Sequence, residues 1–250
     1  MNPMLDKLKA GEVAVGTTAS WDNETRFLAR SGLDFLLFDT QHSPVEIKRL
    51  SDPVGVMRGG SAIPIIRVGD NTAEQICYAL DVGAKGIVCP MVNSGEEADS
   101  MVKSCKYPFD GIRSSAGARG DWGEFANYRD YLDHVNDNVL IIPMIETMEA
   151  FENLVDIVTT PGINALLIGP SDFSINLRVP LDYTNPKYHS AIGKVAETCR
   201  ENRVAPGMYF VPPGIETDTL IEMGFQFFTM PWHGWASSGI RDGVAKVAGR

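Results

Sequence analysis

The sequence predicts a closed parallel (β/α)8 barrel, and three observations predict it. Short apolar runs recur eight times along 250 residues. They are continuous rather than alternating, as strands covered on both faces require. Segments with helical periodicity separate them, and eight strand–helix units in about 250 residues is the ordinary size of such a barrel. A doubly wound open sheet is the competing topology. Its dinucleotide-binding version is weakened because no G-x-G-x-x-G follows the first run.

In chain order the runs are VAVGT (13–17), LDFLLFD (33–39), AIPIIRV (62–68), GIVCPMV (86–92), VLIIPMIE (139–146), NALLIGP (164–170), VAPGMYF (204–210) and FQFFTMP (225–231). Helical segments follow the second, third and fourth as PVEIKRLSDPVGVMR (44–58), TAEQICYALDVGA (72–84) and SGEEADSMVKSC (94–105). The irregular part is a long connection over residues 107–138, containing YPFDGIRSSAGARGDWGEF, with a helix expected at 125–135. A loop of that length inside one domain points to function or to an oligomer contact.

Composition narrows the function classes. With 44% apolar and 22% charged residues the chain suits one large core, so residues 1–250 are expected to form a single domain. No apolar run is long enough for a bilayer and MNPMLDKLKAGE lacks a signal-peptide pattern, so a cytoplasmic protein is expected. Cys77, Cys89, Cys105 and Cys199 show no C-x-x-C or zinc-ligand spacing and are expected to be reduced thiols. A net charge of -10 without a Lys/Arg cluster argues against nucleic acid and anionic membranes as partners. A small molecule or another protein fits better.

In a parallel barrel the C-terminal strand ends share one face, where active sites are built. Asp39 and His42 end or follow the second run, Arg67 closes the third, Glu146 the fifth, and Ser171 and Asp172 follow the sixth. Glu146 and Asp172 offer carboxylates from adjacent strands, a normal arrangement for Mg²⁺ or Mn²⁺ with water and substrate oxygens completing the shell. Singly, each acid reads better as a helix cap, since caps are commoner than ligands; as a pair on adjacent strand ends they read better as ligands. His42 suits acid–base work, or else it satisfies a loop carbonyl. Asp81 in YALDVGA is either the partner that holds the imidazole tautomer or an ordinary helix-end acid. Arg67 at a buried strand end needs an acid or an anionic substrate, because an unpaired charge there is costly. The turn in LLIGPSDFS can turn backbone amides toward a carboxylate, or can be a plain βα turn. Trp232 and His233 in MPWHGW fall near the rim and are assigned to packing. No lysine ends a strand, so a Schiff-base mechanism lacks its nucleophile and metal-assisted carbanion chemistry is favoured.

FDTQHSP, PIIRV, LDVGAKGIVCPMVNSGEEA, KYPFDGIR, IETMEAFENL and GINALLIGPSDFS, in that order, resemble the HpcH/HpaI family of class II pyruvate aldolases over nearly the whole chain. The resemblance implies a (β/α)8 barrel whose C-terminal helix is exchanged between subunits, giving dimers that assemble into a hexamer. It implies a divalent metal (Mg²⁺, Mn²⁺ or Co²⁺) held by Glu146 and Asp172, His42 as acid–base residue with Asp81 as its dyad partner, and Arg67 as enolate stabiliser. Amides of Ser171 and Asp172 would receive the substrate carboxylate, with Gln41 and Met144 beside it as substrate-binding positions and Asp39 in the catalytic set. The implied reaction is reversible cleavage of a 4-hydroxy-2-oxo acid to pyruvate and an aldehyde. Alternatives are decarboxylation or lyase chemistry on an oxaloacetate-like acid, or a non-catalytic carboxylate-binding barrel. The chain departs from the family pattern at Gln41, where D-x-E-H is frequent, and at Met144, where Q-x-E is common. It departs also in the arginine loop, where IRSSAG replaces an R-G pair. These departures point to a shifted substrate range.

Overall fold

All eight apolar runs form strands, and the strands close on themselves. The structure is a computed structural model describing residues 2–20, 24–43 and 45–249. The strands are β1 (Ala14–Ala19), β2 (Phe35–Asp39), β3 (Ile63–Arg67), β4 (Gly86–Cys89), β5 (Leu140–Ile145), β6 (Ala165–Ile168), β7 (Ala205–Met208) and β8 (Phe227–Thr229). Each pairs in parallel with its sequence neighbours, and β8 pairs with β1, so the sheet is a closed barrel in sequential order. The expected (β/α)8 fold is therefore the observed one.

The strand period of two divides each strand between two cores. Phe35, Leu37, Ile63, Ile65, Val88, Leu140, Ile142, Ala165, Leu167, Ala205 and Phe227 fill the barrel interior. Their sequence neighbours Leu36, Phe38, Ile66, Ile87, Ile141, Leu166 and Phe228 face the helical layer. Both faces are apolar because both are covered, which is why the runs read as continuous. Interior space is shared unequally: a Cβ on Gly16 would stand 2.4 Å from the Phe35 ring, so the small residue on β1 makes room for the large one on β2. Phe35 then meets Phe227 edge-on, with ring centroids 4.6 Å apart.

The N-terminal helix (Pro3–Lys9) closes the bottom of the barrel, where the strands begin. Met4, Leu5 and Leu8 are buried against the interior cluster. Asn2 caps the helix by accepting from the Leu5 amide, and its Nδ2 donates to the carbonyls of Lys85 and Asn138 beside the starts of β4 and β5.

The helix expected at 125–135 runs Tyr128–Asn138, because Asn127 accepts from the Asp130 amide and fixes the start there. The connection before it carries its own small aromatic core of Tyr107, Trp122, Tyr131 and Val135. Among the described residues no helix is long and apolar enough to cross a membrane.

Candidate active site

Continuing the inward parity of each strand by one more step brings polar residues to the top of the barrel. Phe35 and Leu37 are followed by Asp39, Ile63 and Ile65 by Arg67, and Leu140 and Ile142 by Met144 and Glu146. Leu167 is followed by Gly169, and Ala205 and Gly207 by Tyr209. The alternation that packs the interior thus aims these side chains at one point, and His42, Arg67, Met144, Glu146, Gly169, Pro170, Ser171, Asp172, Tyr209 and Phe210 line a cavity of about 230 Å³.

Arg67 lies at the floor and is 3% exposed. Its Nε donates to Asp39 Oδ1 at 2.8 Å and its Nη2 to Asp39 Oδ2 at 2.5 Å, a two-point pairing of guanidinium and carboxylate. Amides of Gln41 and His42 also donate to Asp39 Oδ1. Burial pushes the Asp39 carboxyl up, but the hydrogen bond and charge of Arg67 and these two amides outweigh it and hold the group below its ordinary value. Asp39 is therefore an anion devoted to Arg67. The sequence reading, which placed it in the catalytic set, missed this partnership.

Tyr209 completes the pair and was not among the residues singled out from sequence. Its hydroxyl accepts from Arg67 Nη2 at 3.0 Å and donates to Asp39 Oδ2 at 3.4 Å, while the guanidinium carbon stands 4.2 Å from its ring centre. In the run VAPGMYF it stands among apolar neighbours and nothing sets it apart by type. The available signal was parity, since position 209 shares the inward face with 205 and 207.

Glu146 is 2% exposed, and its Oε2 accepts from the Met91 amide at 3.0 Å. Burial raises its pKa, the Met91 amide opposes that, the neighbouring Asp172 carboxylate raises it further, and Arg67 and His42 oppose it. The capping alternative for Glu146 does not hold, since the Thr147 hydroxyl caps the helix Met148–Glu152 by accepting from the Ala150 amide. Glu146 turns into the cavity instead. A Cβ on Gly169 would stand 2.4 Å from Glu146 Oε1, so that carboxylate occupies the space a side chain at 169 would need.

Asp172 is exposed, in the first turn of the helix Pro170–Asn176, and caps nothing with its side chain among the described residues. Ser171 Oγ lies 3.3 Å from the Tyr183 hydroxyl. Met144 is fully buried with its sulfur 3.9 Å from Arg67 Nη1. Gln41 keeps a buried Oε1 without a hydrogen-bond partner among the described residues. His42 is exposed at the cavity rim. Trp232 and His233 begin the helix Trp232–Ala248, and Trp232 packs on the core between barrel and helices, as assigned.

Asp81 was expected beside His42 as a dyad partner; within the chain its Oδ1 accepts from Arg113 Nη2 at 2.8 Å, and no hydrogen bond joins it to His42 among the described residues. The helix Ala73–Asp81 runs antiparallel to β3, so its ninth residue lies about 13 Å down the barrel wall from the mouth. Arg113 is buried against the Tyr107 ring, and Asp81 supplies its counter-charge.

The donor chemistry of Glu146 and Asp172 fits a divalent cation. Hard carboxylate oxygens on adjacent strand ends suit Mg²⁺ or Mn²⁺, and the mutual repulsion that raises the Glu146 pKa is what a cation between them relieves. Among the described residues no group of three or more His, Cys, Asp and Glu forms a metal-binding array, so the two carboxylates would leave the remaining positions to water and substrate.

The sequence profile described as HpcH/HpaI aldolase/citrate lyase matches residues 22–231. The chain belongs to the HpcH/HpaI aldolase/citrate lyase family. Within that family it is 32% identical over 209 residues to a 4-hydroxy-2-oxo-heptane-1,7-dioate aldolase of Salmonella dublin, covering 83% of this chain and 80% of the relative. It is 32% identical over 178 residues to a hydroxypyruvate/pyruvate aldolase of Roseovarius nubinhibens, covering 70% of this chain and 69% of that one. A solved HpcH/HpaI aldolase/citrate lyase family protein from Burkholderia cenocepacia J2315 superposes with a TM-score of 0.84 at 23% identity, over 99% of this chain and 100% of the other. At that identity the superposition speaks for the HpcH/HpaI barrel alone.

Proposed function

We propose that this protein is a class II aldolase that reversibly cleaves a 4-hydroxy-2-oxo acid into pyruvate, or a related 2-oxo acid, and an aldehyde. The observation that carries the reading is the convergence of Arg67, Glu146, Asp172 and His42 on one cavity at the C-terminal mouth of the barrel, in a chain related to enzymes named for such reactions. Glu146 and Asp172 would hold a divalent cation, Mg²⁺, Mn²⁺ or Co²⁺, which when bound supplies Lewis-acid polarisation of the 2-oxo group.

The protein's own residues account for the remaining work. First-turn amides of Ser171 and Asp172, which a helix leaves without internal acceptors, receive the substrate carboxylate. His42 at the rim takes the proton from the 4-hydroxyl; the C3–C4 bond breaks, its electrons pass to the C2 oxygen as an enolate, and the aldehyde departs. Arg67 faces that oxygen with donors fixed in place by Asp39, so charge developing there meets a preoriented cation. Protonation at C3 completes pyruvate. Met144 and Gln41 line or flank the pocket without adding a charge, which suits the shifted substrate range that the resemblance implies. Asp81 takes no part in this reading of a single chain.

The same reading extends to assembly and setting. The helix Trp232–Ala248 buries none of its residues, and Ile240 and Val247 are 67% and 92% exposed. Exchange of this helix between subunits, in dimers that build a hexamer, would cover that surface. Four cysteines without disulfides suit a cytoplasmic setting. The test is a panel of 4-hydroxy-2-oxo acids incubated with protein and Mg²⁺, Mn²⁺ or Co²⁺, with pyruvate and aldehyde quantified. Stoichiometric release of both, abolished by chelator and by Glu146→Gln, is expected. Carbon dioxide instead of aldehyde would replace the reading with decarboxylation, and tight oxo-acid binding without any turnover would replace it with a binding barrel.

A further inference from the structure

The hydrogen bonds of Arg67 are distributed unevenly. Nε and Nη2 are engaged by Asp39, and Nη2 is also engaged by the Tyr209 hydroxyl at 3.0 Å. Among the described residues Nη1, the nitrogen turned toward β5, makes its one hydrogen-bond contact with the Met144 sulfur at 3.9 Å. A thioether is a weak acceptor and donates nothing. On the β5 side the guanidinium therefore has no hydrogen-bonding oxygen or nitrogen among the described residues, the Glu146 charge acting on it only through space, and on the β7 side it has a phenol that touches it twice, through the hydroxyl and through the ring face 4.2 Å from its carbon. Burial pushes the Tyr209 phenol up to about 12, so near neutral pH it keeps its proton and can accept from Arg67 while donating to Asp39.

We propose that Tyr209 is a positioning residue of the reaction: it locks the guanidinium of Arg67 against Asp39 from β7, leaving Nη1 directed at the substrate C2 oxygen, and so supplies the rigidity that a polar side chain at position 144 would supply from β5. The inference rests on the aldolase reading. It also explains how a methionine is accommodated beside a buried cation. With Tyr209 holding Nη2, a soft apolar side chain can pack against Nη1 without freeing the guanidinium to rotate. Because Arg67 faces charge that develops during reaction, the contribution of Tyr209 appears in turnover and in binding of an enolate-like anion more than in binding of the ground-state oxo acid.

The experiment compares wild type, Tyr209→Phe, Met144→Gln and the double variant, all with Mg²⁺. It measures kcat and KM for exchange of the pyruvate methyl protons, and the affinity of oxalate, a planar dianion resembling the pyruvate enolate, by calorimetry. Tyr209→Phe keeps the ring and removes one hydrogen bond to a charged group, so kcat and oxalate affinity should each fall about tenfold with KM for pyruvate changed less than about twofold. Met144→Gln restores a polar partner at Nη1, and in the Tyr209→Phe background it should recover most of both losses. A Tyr209→Phe variant with wild-type kcat and oxalate affinity would overturn the inference. So would a double variant no better than Tyr209→Phe, or a variant whose pyruvate and oxalate affinities fall together with its melting temperature, the pattern of a merely structural tyrosine. If wild type itself exchanges no protons, the aldolase reading fails, and the oxalate titration alone decides whether Tyr209 supports Arg67 as an anion partner.

Discussion

At Gly169 the lack of a side chain has a chemical consequence on the adjacent strand, because the Glu146 carboxylate fills the space. Gly169→Ala would bring a methyl group to 2.4 Å from Glu146 Oε1, so the carboxylate must turn out of its place beside the Met91 amide. The expected outcome is loss of divalent-metal affinity by about tenfold or more with a melting temperature close to wild type, read by metal titration calorimetry. Arg67→Lys keeps the charge but loses the two-point fit to Asp39, and kcat should fall by about a hundredfold or more. Asp39 carries a pH signature. Its folded-state pKa lies below the ordinary 3.8, so it stabilises the fold above the unfolded value, and that contribution disappears as pH falls through the depressed folded one. Asp39→Asn should therefore lower the melting temperature at pH 7, with the gap to wild type narrowing below about pH 3.8. Individual residues were legible in the sequence to the extent that strand ends announce themselves: Asp39, Arg67 and Glu146 interrupt apolar runs and stand out. Tyr209 does not interrupt anything, because a tyrosine at the end of an apolar strand is composed like its neighbours, and only its parity separates it from a core aromatic.

Among the elements, the strands were the most legible, since burial on both faces leaves an uninterrupted apolar signature that turn chemistry brackets. Helix direction carries Asp81, the last residue of its helix, away from this chain's own mouth, and within the chain its carboxylate pairs with Arg113. The helix at Tyr128–Asn138 was displaced from expectation because one capping side chain, Asn127, decides its start. The short N-terminal helix is a plug, and its energetic share can be measured. Leu5 is 2% exposed in the barrel-interior cluster, so Leu5→Ala should cost about 2–5 kcal/mol in chemical denaturation without altering the site at the opposite end. On β1, Gly16→Ala forces a methyl group against the Phe35 ring and should cost about 1–3 kcal/mol by overpacking.

For the whole molecule, the closed barrel separates stability at the bottom from chemistry at the top, so substitutions at the plug and at the mouth should be close to additive. The C-terminal helix touches the core through Trp232 and otherwise buries none of its residues. If the helix is exchanged between subunits as proposed, truncating residues 232–250 should leave only smaller species by light scattering, since Trp235, Ile240 and Val244 stay 49%, 67% and 54% exposed within the chain. The central claim is that the mouth stabilises an enolate of a 2-oxo acid, and proton exchange tests it without knowledge of the aldehyde. Pyruvate is incubated with the protein in D₂O, with Mg²⁺, Mn²⁺ or Co²⁺ added, and the methyl signal is followed by NMR. The account predicts loss of that signal at a rate proportional to enzyme, stopped by chelator and by Glu146→Gln. A methyl signal that persists with every metal, or that exchanges equally in chelator, would contradict it.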